Sequence, residues 1–414
     1  MTNIAPDRVH PATRIRLSAM MFLQMFVMGG WIVTMATYLA QELDASAKQI
    51  SLAALSQAIG AMITPFVVGA LADRVVSAQK LMGALHIVAG VLLLIASRVD
   101  SFGLFFILIM AYMLCFAGTP SLSSSVALHQ LPDSAKQFPA IRVFGTVGWI
   151  VAGLLVGILG WEQDHRLVLT LLLSGGVGIA LGLYCFTLPD TPPQGSGRSG
   201  WRAIFGPDSL VLFRNRAFLF FFCAAVAICI PLAFYYNFTN LYLNEIGLRS
   251  AAALQTIGQA SEVAILLVLG ALISRLGFKK TLLLGLAAWV VRYLCFAIAV
   301  DGPQLWLIVI GLTLHGLCFG FFMVAGQLYV DRIAGPAHRS TALGLFALAT
   351  AGVGPLVGAL ITGPVVDALI IPGGHDWFVI WLIPAAMSLV VLLLIVAFFH
   401  DATARRSTHS DGPV

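Results

Sequence analysis

Stretches of about 20 apolar residues recur from Leu17 to Phe399, separated by short polar connectors. That is the length an α-helix needs to cross the hydrocarbon core of a bilayer, and no other feature limits the fold as much. Charge supports the same reading. A soluble domain carries about 25% charged residues, whereas this 414-residue chain carries 10% against 59% hydrophobic. Too few charges remain to cover a water-facing surface. The runs are rich in glycine and lack the two-residue alternation of an outer-membrane barrel. The predicted fold class is an all-α membrane protein of twelve transmembrane helices. The predicted spans are 17–40, 48–72, 80–97, 101–125, 138–160, 166–188, 217–243, 253–275, 280–300, 304–330, 340–367 and 377–400.

Arginine and lysine orient these spans. With the N-terminus inside, seventeen basic residues fall in inside segments. Only Lys48, Arg98, Arg166 and Arg249 fall outside, and Arg142 and Arg292 lie within spans. This is the positive-inside pattern, with both termini cytoplasmic. Met1 to Arg16 is polar, with Pro6 and Pro11, and reads as a cytoplasmic tail, not a cleavable signal peptide. The longest connector contains TPPQGSGRSG, a Pro/Gly/Ser linker with no apolar period. Six spans precede it and six follow. The expected organisation is a tail over 1–16, a six-helix bundle over 17–188, a cytoplasmic linker over 189–216, a second bundle over 217–400 and a tail over 401–414.

Internal repetition supports the cut. Gly69-Ala-Leu-Ala-Asp73-Arg74 follows the second span, and Gly270-Ala-Leu-Ile-Ser274-Arg275 follows the eighth, 201 residues later. Two parallel six-helix repeats with a central site are an arrangement used by secondary transporters. The first of these segments resembles the GxLaDrxGrr loop motif of the major facilitator superfamily, with Val76 and Ser77 standing where a Gly-Arg pair is usual. Glycine there would let helices approach closely. A carboxylate and a guanidinium at a cytoplasmic helix end can form charge-assisted hydrogen bonds that hold one conformation shut. Asp73 and Arg74 are accordingly the candidate gating residues, the competing reading being a topogenic charge pair in a turn.

Polar groups at membrane depth are costly and mark function. Glu262 is the one acidic residue placed deep in a predicted span, and Gln259 shares its helix face. A carboxylate there suits reversible proton binding; the bland alternative is a glutamate satisfied by a neighbouring helix. Arg142, Thr146 and Trp149 recur at i, i+4 and i+7 of the fifth span. Together they offer a guanidinium, a hydroxyl and an aromatic ring on one stripe, a wall suited to a planar, hydroxylated solute. Asn237 and Asn240 share a face of the seventh span, within Tyr235-Tyr236-Asn237-Phe238-Thr239-Asn240, and both donate and accept hydrogen bonds. His315 and Phe319 form a polar–aromatic pair in the tenth span. Gln24, Thr34 and His86 either line a cavity or hold helices together, and Arg292 calls for a partner. The six cysteines lie in apolar runs without metal-ligand spacing and read as small buried hydrophobes.

These constellations together resemble the NupG-type nucleoside:proton symporters of the major facilitator superfamily. The resemblance runs along nearly the whole chain. It includes Met21-Phe-Leu-Gln24 with Gly30-Trp31, Arg142-Val-Phe-Gly-Thr146-Val-Gly-Trp149, and Gln259-Ala-Ser-Glu262. It implies the major facilitator fold, and nucleoside binding by Arg142, Thr146, Trp149, Asn237, Asn240, Gln259, Glu262, His315 and Phe319. It also implies no cofactor beyond the coupling proton, with Glu262 as its carrier. The chain departs from the family in the tenth helix. An aspartate is usual in a Phe-Asp-Phe-Phe stretch, and here the stretch is Phe319-Gly320-Phe321-Phe322. His315 stands where a tyrosine is usual, and an asparagine replaces a glutamine of the seventh helix.

The expected function is proton-driven uptake of nucleosides by a monomer in the bacterial inner membrane, with a small polar solute and lipid as partners and no nucleic acid. Transport of a sugar or related metabolite, or drug export, remains the alternative. No nucleophile–base pair, metal cluster or phosphate-binding loop points to an enzyme.

Overall fold

The computed structural model describes residues 10–193, 207–300 and 304–399. Residues 1–9 of the first predicted tail, the middle of the predicted linker and the whole of the predicted tail over 401–414 lie outside the described residues. The described residues are helical almost throughout; a two-residue antiparallel hairpin, β1 (Ile370–Ile371) with β2 (Gly374–His375), is the only sheet among them. Among the described residues, ten helices are long and apolar enough to cross a membrane. Large apolar side chains stand exposed on them, Leu267 at 83% and Ile107 at 63%, which suits lipid and not water.

The chain divides into two compact units. The first comprises Met1–Gly200 and Arg249–Thr256; the second comprises Trp201–Leu248 and Ile257–Val414. The first unit holds α1 (Pro11–Gly29), α2 (Met35–Glu42), α3 (Ala47–Arg74), α4 (Ala78–Ala96), α5 (Phe102–Phe116), α6 (Thr119–His129), α7 (Ser134–Ile158) and α8 (Val168–Cys185). Two of the predicted spans are broken. The first becomes α1 and α2, and the fourth becomes α5 and α6, parted just before Thr119-Pro120. Helix α1 also begins at Pro11, a residue suited to a helix start, so part of the expected tail is helical. Ser46 and Gln49 close a capping box on α3, and Asp133 caps α7.

Glycines set the closest contacts of this unit. A Cβ on Gly90 would lie 2.6 Å from the carbonyl oxygen of Gly175, joining α4 to α8, and one on Gly148 would strike the Phe22 carbonyl, joining α7 to α1. Buried hydrogen bonds fasten the same helices. Gln24 donates to Thr119 at 2.9 Å, and its side-chain oxygen lies 2.7 Å from His86 Nε2. Gln24 and His86 are buried in these bonds and fasten helices, whereas the buried Thr34 hydroxyl donates to the Trp31 carbonyl of its own turn. The Glu162 carboxylate, also buried, accepts from the Ala252 backbone N–H at 3.1 Å and ties Arg249–Thr256 to this unit.

The second unit holds α9 (Pro207–Arg214), α10 (Arg216–Glu245), α11 (Ala251–Ile298, of which Ala251–Thr256 cluster with the first unit), α12 (Leu305–Cys318), α13 (Ala325–Ala347), α14 (Gly354–Asp367) and α15 (Trp377–Phe398). Wider π-helical turns at Phe319–Val324 and Leu348–Val353 join α12 to α13 and α13 to α14. The packed character expected of the Gly352–Pro364 stretch is present: Cβ atoms on Gly354 and Gly358 would each come within 2.5 Å of α10 side chains.

Helix α11 is broken by a kink at Gly277, where φ is 76° and ψ is 169°. Only glycine adopts that conformation without strain. At the matching place in the first unit, Val76 lies in the turn between α3 and α4 and its φ is not positive. The repeat therefore makes the same turn by two backbone routes. Gly277→Ala is expected to cost about 1–3 kcal/mol and to lower the melting temperature in detergent; an unchanged melting temperature would show that the turn relaxes freely. One expectation is corrected here. A Cβ at Gly69 or Gly270 would meet nothing within 4 Å, so close helix approach is not what these repeated glycines provide in this structure.

Candidate functional site

The second unit gathers a polar cluster around His315. Helix α12 carries His315 fully into the unit, and the ring is held on several sides. Tyr235 of α10 stacks on it with centroids 5.2 Å apart, Phe319 lies at 6.1 Å, and Tyr236 meets it edge-on at 6.3 Å. Glu262 of α11 faces it, with Oε2 3.8 Å from Nε2. From the other side Arg292, farther along α11, places NH1 3.1 Å from Nδ1. Three of the expected site residues, Glu262, His315 and Phe319, therefore meet.

Small residues bring α11 and α12 this close. A Cβ on Gly316 would strike the Ser261 carbonyl oxygen and lie 2.7 Å from the Glu262 nitrogen. The Gly316 N–H donates to Ser261 Oγ at 3.0 Å, and a Cβ on Gly258 would lie 3.2 Å from His315 Cβ. The absent side chain at position 316 thus sets the separation of Glu262 from His315.

The other expected residues are placed as follows. Gln259, half-buried, is one turn before Glu262 on the same face. Asn237, also half-buried, donates to Thr362 Oγ1 of α14 at 3.4 Å. Asn240 is buried, and its Oδ1 accepts from Asn244. In the first unit, Arg142, Thr146 and Trp149 lie along one stripe of α7. Arg142 is exposed, while Thr146 and Trp149 are half-buried. Trp149 packs against Gly29 of α1, whose Cβ would come within 3.1 Å of the indole. Asp73 and Arg74 end α3, Asp73 half-buried and Arg74 exposed.

Sequence reasoning left Arg292 without a partner, and left Tyr235, Tyr236 and Tyr293 without roles. The structure gives both terminal nitrogens of Arg292 hydrogen-bond partners, while its buried Nε has none among the described residues. Its guanidinium sits 3.9 Å over the Tyr235 ring, and NH2 donates to Tyr293 Oη at 3.2 Å. The available signal was the arginine itself, an ionisable group within an apolar span.

A hydroxyl-rich planar solute could hydrogen-bond to such donors and acceptors and stack on the aromatic rings. Among the described residues no group of His, Cys, Asp or Glu could hold a metal ion. The sequence matches the family model described as "Nucleoside H+ symporter" over residues 12–404. The chain belongs to the nucleoside H+ symporter family. It is a multi-pass bacterial membrane transporter and not an enzyme. YegT of Escherichia coli (strain K12) is 36% identical over 403 residues, 94% of each chain. The xanthosine permease of the same organism is 31% identical over 402 residues, covering 93% of this chain and 95% of that one. The crystal structure of the nucleoside transporter NupG aligns with a TM-score of 0.87 at 27% identity, covering 94% of this chain and 99% of that one.

Membership makes the departure at Gly320 informative. Gly320 is buried in the π-helical turn after α12, and a Cβ there would lie 2.7 Å from Ile265 Cγ2. The position where the family's acid is expected is therefore taken up by packing between the turn and α11. A side chain at 320 would require Ile265 to move.

Proposed function

We propose that this chain takes up nucleosides together with protons by alternating access, working as a monomer with both termini in the cytoplasm. Twelve crossing segments in two six-helix bundles are the matching architecture. The break at Gly277 divides α11 into two membrane-length pieces, and α1 with α2 forms one interrupted span. Arg142, Thr146 and Trp149 hold the solute from α7; Asn237, Asn240, Gln259, His315 and Phe319 hold it from the second unit. Glu262 carries the proton, and Asp73 with Arg74 serves the gate. The observation that carries this reading is the Glu262 carboxylate at membrane depth, partly accessible and facing His315, in a chain matched by the family over almost its full length. Protonation and solute binding together would favour one conformation through their differential affinity for it.

The test is uptake of labelled uridine, adenosine and xanthosine into liposomes, with and without an inward proton gradient. Gradient-stimulated uptake supports the reading. Uptake indifferent to the gradient keeps the solute and removes the coupling. No nucleoside uptake by folded protein moves the search to sugars and other hydroxylated metabolites. Arg142→Gln removes a charged donor, a loss of about 1.5–3 kcal/mol. Uridine affinity should then fall about 10- to 150-fold, read as a raised Kd in equilibrium binding. An unchanged Kd would take Arg142 out of the binding set.

A further inference from the structure

We propose that Arg292 is a positioning residue for proton coupling: it fixes His315 in the Nε2–H tautomer, so that the ring presents a donor to the Glu262 carboxylate. This rests on the proposed role of Glu262 and adds to it the groups that set its hydrogen-bond partner.

The argument is one of donor and acceptor inventory. A guanidinium has five N–H donors and no acceptor. Arg292 NH1 lies 3.1 Å from His315 Nδ1, so Nδ1 can only accept. The ring proton then resides on Nε2, the nitrogen that faces Glu262 Oε2 at 3.8 Å. The opposite tautomer would fail twice. It would set N–H against N–H at the arginine and a bare lone pair against the carboxylate. A ring flip offers no escape, because it would turn a carbon toward Arg292 and forfeit that hydrogen bond.

Arg292 is itself immobilised. It is completely buried. NH2 donates to Tyr293 Oη at 3.2 Å, and that hydroxyl spends its own proton on the Pro231 carbonyl at 2.7 Å. Arg292 thus donates to His315 of α12 and to Tyr293, which in turn donates to α10. The Tyr235 ring lies under the guanidinium at 3.9 Å and stacks on His315 at 5.2 Å. One tyrosine therefore braces both partners of the hydrogen bond. A gap of 3.8 Å is wider than a hydrogen bond. A side-chain shift of about 1 Å, or a solute hydroxyl between the two groups, would close it.

Histidine tautomers are distinguished by ring 15N shifts. The full-length protein, labelled with 15N-histidine and held in lipid nanodiscs without solute, is the sample. The His315 signal is the one lost in His315→Gln. Wild type should show a protonated Nε2 and an unprotonated Nδ1 at neutral pH. Arg292→Met should move the signal toward a mixture of tautomers, while Arg292→Lys, still a donor without an acceptor, should restore the wild-type pattern. A protonated Nδ1 in wild type, or an unchanged signal in Arg292→Met, would overturn the proposal. Transport gives a second readout should Arg292→Met not fold. Glutamine places its amide near the site of Nε2 and asparagine near that of Nδ1. His315→Gln should therefore keep at least about tenfold more gradient-driven uridine uptake than His315→Asn, the loss of one hydrogen bond to a charged group. Equal or reversed uptake counts against the proposal. If wild-type protein moves no nucleoside, the solute assignment fails on that result alone, and the 15N spectrum still decides the tautomer.

Discussion

Glu262→Gln should abolish gradient-driven accumulation of nucleoside while leaving a folded protein that still binds it. The magnitude follows from coupling. One pH unit across the membrane is worth about 1.4 kcal/mol per proton, so symport with one proton concentrates solute about tenfold per pH unit. With two units imposed, wild-type vesicles should accumulate uridine about 100-fold, and Glu262→Gln vesicles should only equilibrate it. Glutamine keeps the shape and an accepting oxygen, so the Nε2–H of His315 still faces an acceptor. What is lost is the exchangeable proton. The competing view treats Glu262 as a structural carboxylate satisfied by α12. That view predicts a lower melting temperature and preserved accumulation in whatever protein survives. The two outcomes are opposite, so counterflow, accumulation and melting measured on one preparation separate them.

The departure at Gly320 sharpens this expectation. With glycine there packed on Ile265, position 320 supplies no carboxylate. Among the described residues of the His315 cluster, Glu262 is the acid that faces the ring. If accumulation survived Glu262→Gln, the coupling group would have to be sought outside this cluster.

Much of the fold was legible because hydrocarbon leaves a chain few choices. Backbone polar groups must be satisfied within each segment, so apolar runs of the right length become helices, and from Ala47 onward most did so close to their predicted bounds, the eighth and ninth spans instead forming one helix kinked at Gly277. The breaks were harder to see. The interruption before Thr119-Pro120 had a local signal, whereas that between Gly29 and Met35 lies in an apolar stretch with only paired glycines to mark it. The π-helical turns at Phe319 and Leu348 have no sequence signature, because they answer to the packing of neighbours. The candidate site was legible by residue type and not by pairing. Glu262 and His315 were visible singly as ionisable groups in apolar spans. Their meeting depends on Gly316 in one helix and Ser261 in the other, 55 residues apart. Arg292 lies farther still along α11, and no spacing rule connects it to His315.

That dependence on Gly316 makes its replacement the most damaging single change expected in the second unit. A Cβ at 316 would meet backbone, the Ser261 carbonyl and the Glu262 nitrogen at 2.7 Å, and a helix backbone cannot step aside as a side-chain tip can. Overpacking of this kind costs about 1–3 kcal/mol for a methylene or two, and Gly316→Leu adds four carbons against the same wall. The helices must separate. The hydrogen bond from the Gly316 N–H to Ser261 is then lost, and the gap between Glu262 and His315 widens beyond 3.8 Å. Gly316→Leu should therefore yield little folded protein, and Gly316→Ala a folded protein with transport reduced at least about tenfold, the equivalent of 1.4 kcal/mol. Gly270→Ala is the control on the same helix pair's first member. Open space surrounds that position, and alanine is favoured over glycine in a helix by about 1 kcal/mol, so its melting temperature should hold or rise. If Gly316→Ala melted and transported like wild type, the contact between α11 and α12 would not be what sets the distance between the proton carrier and its histidine.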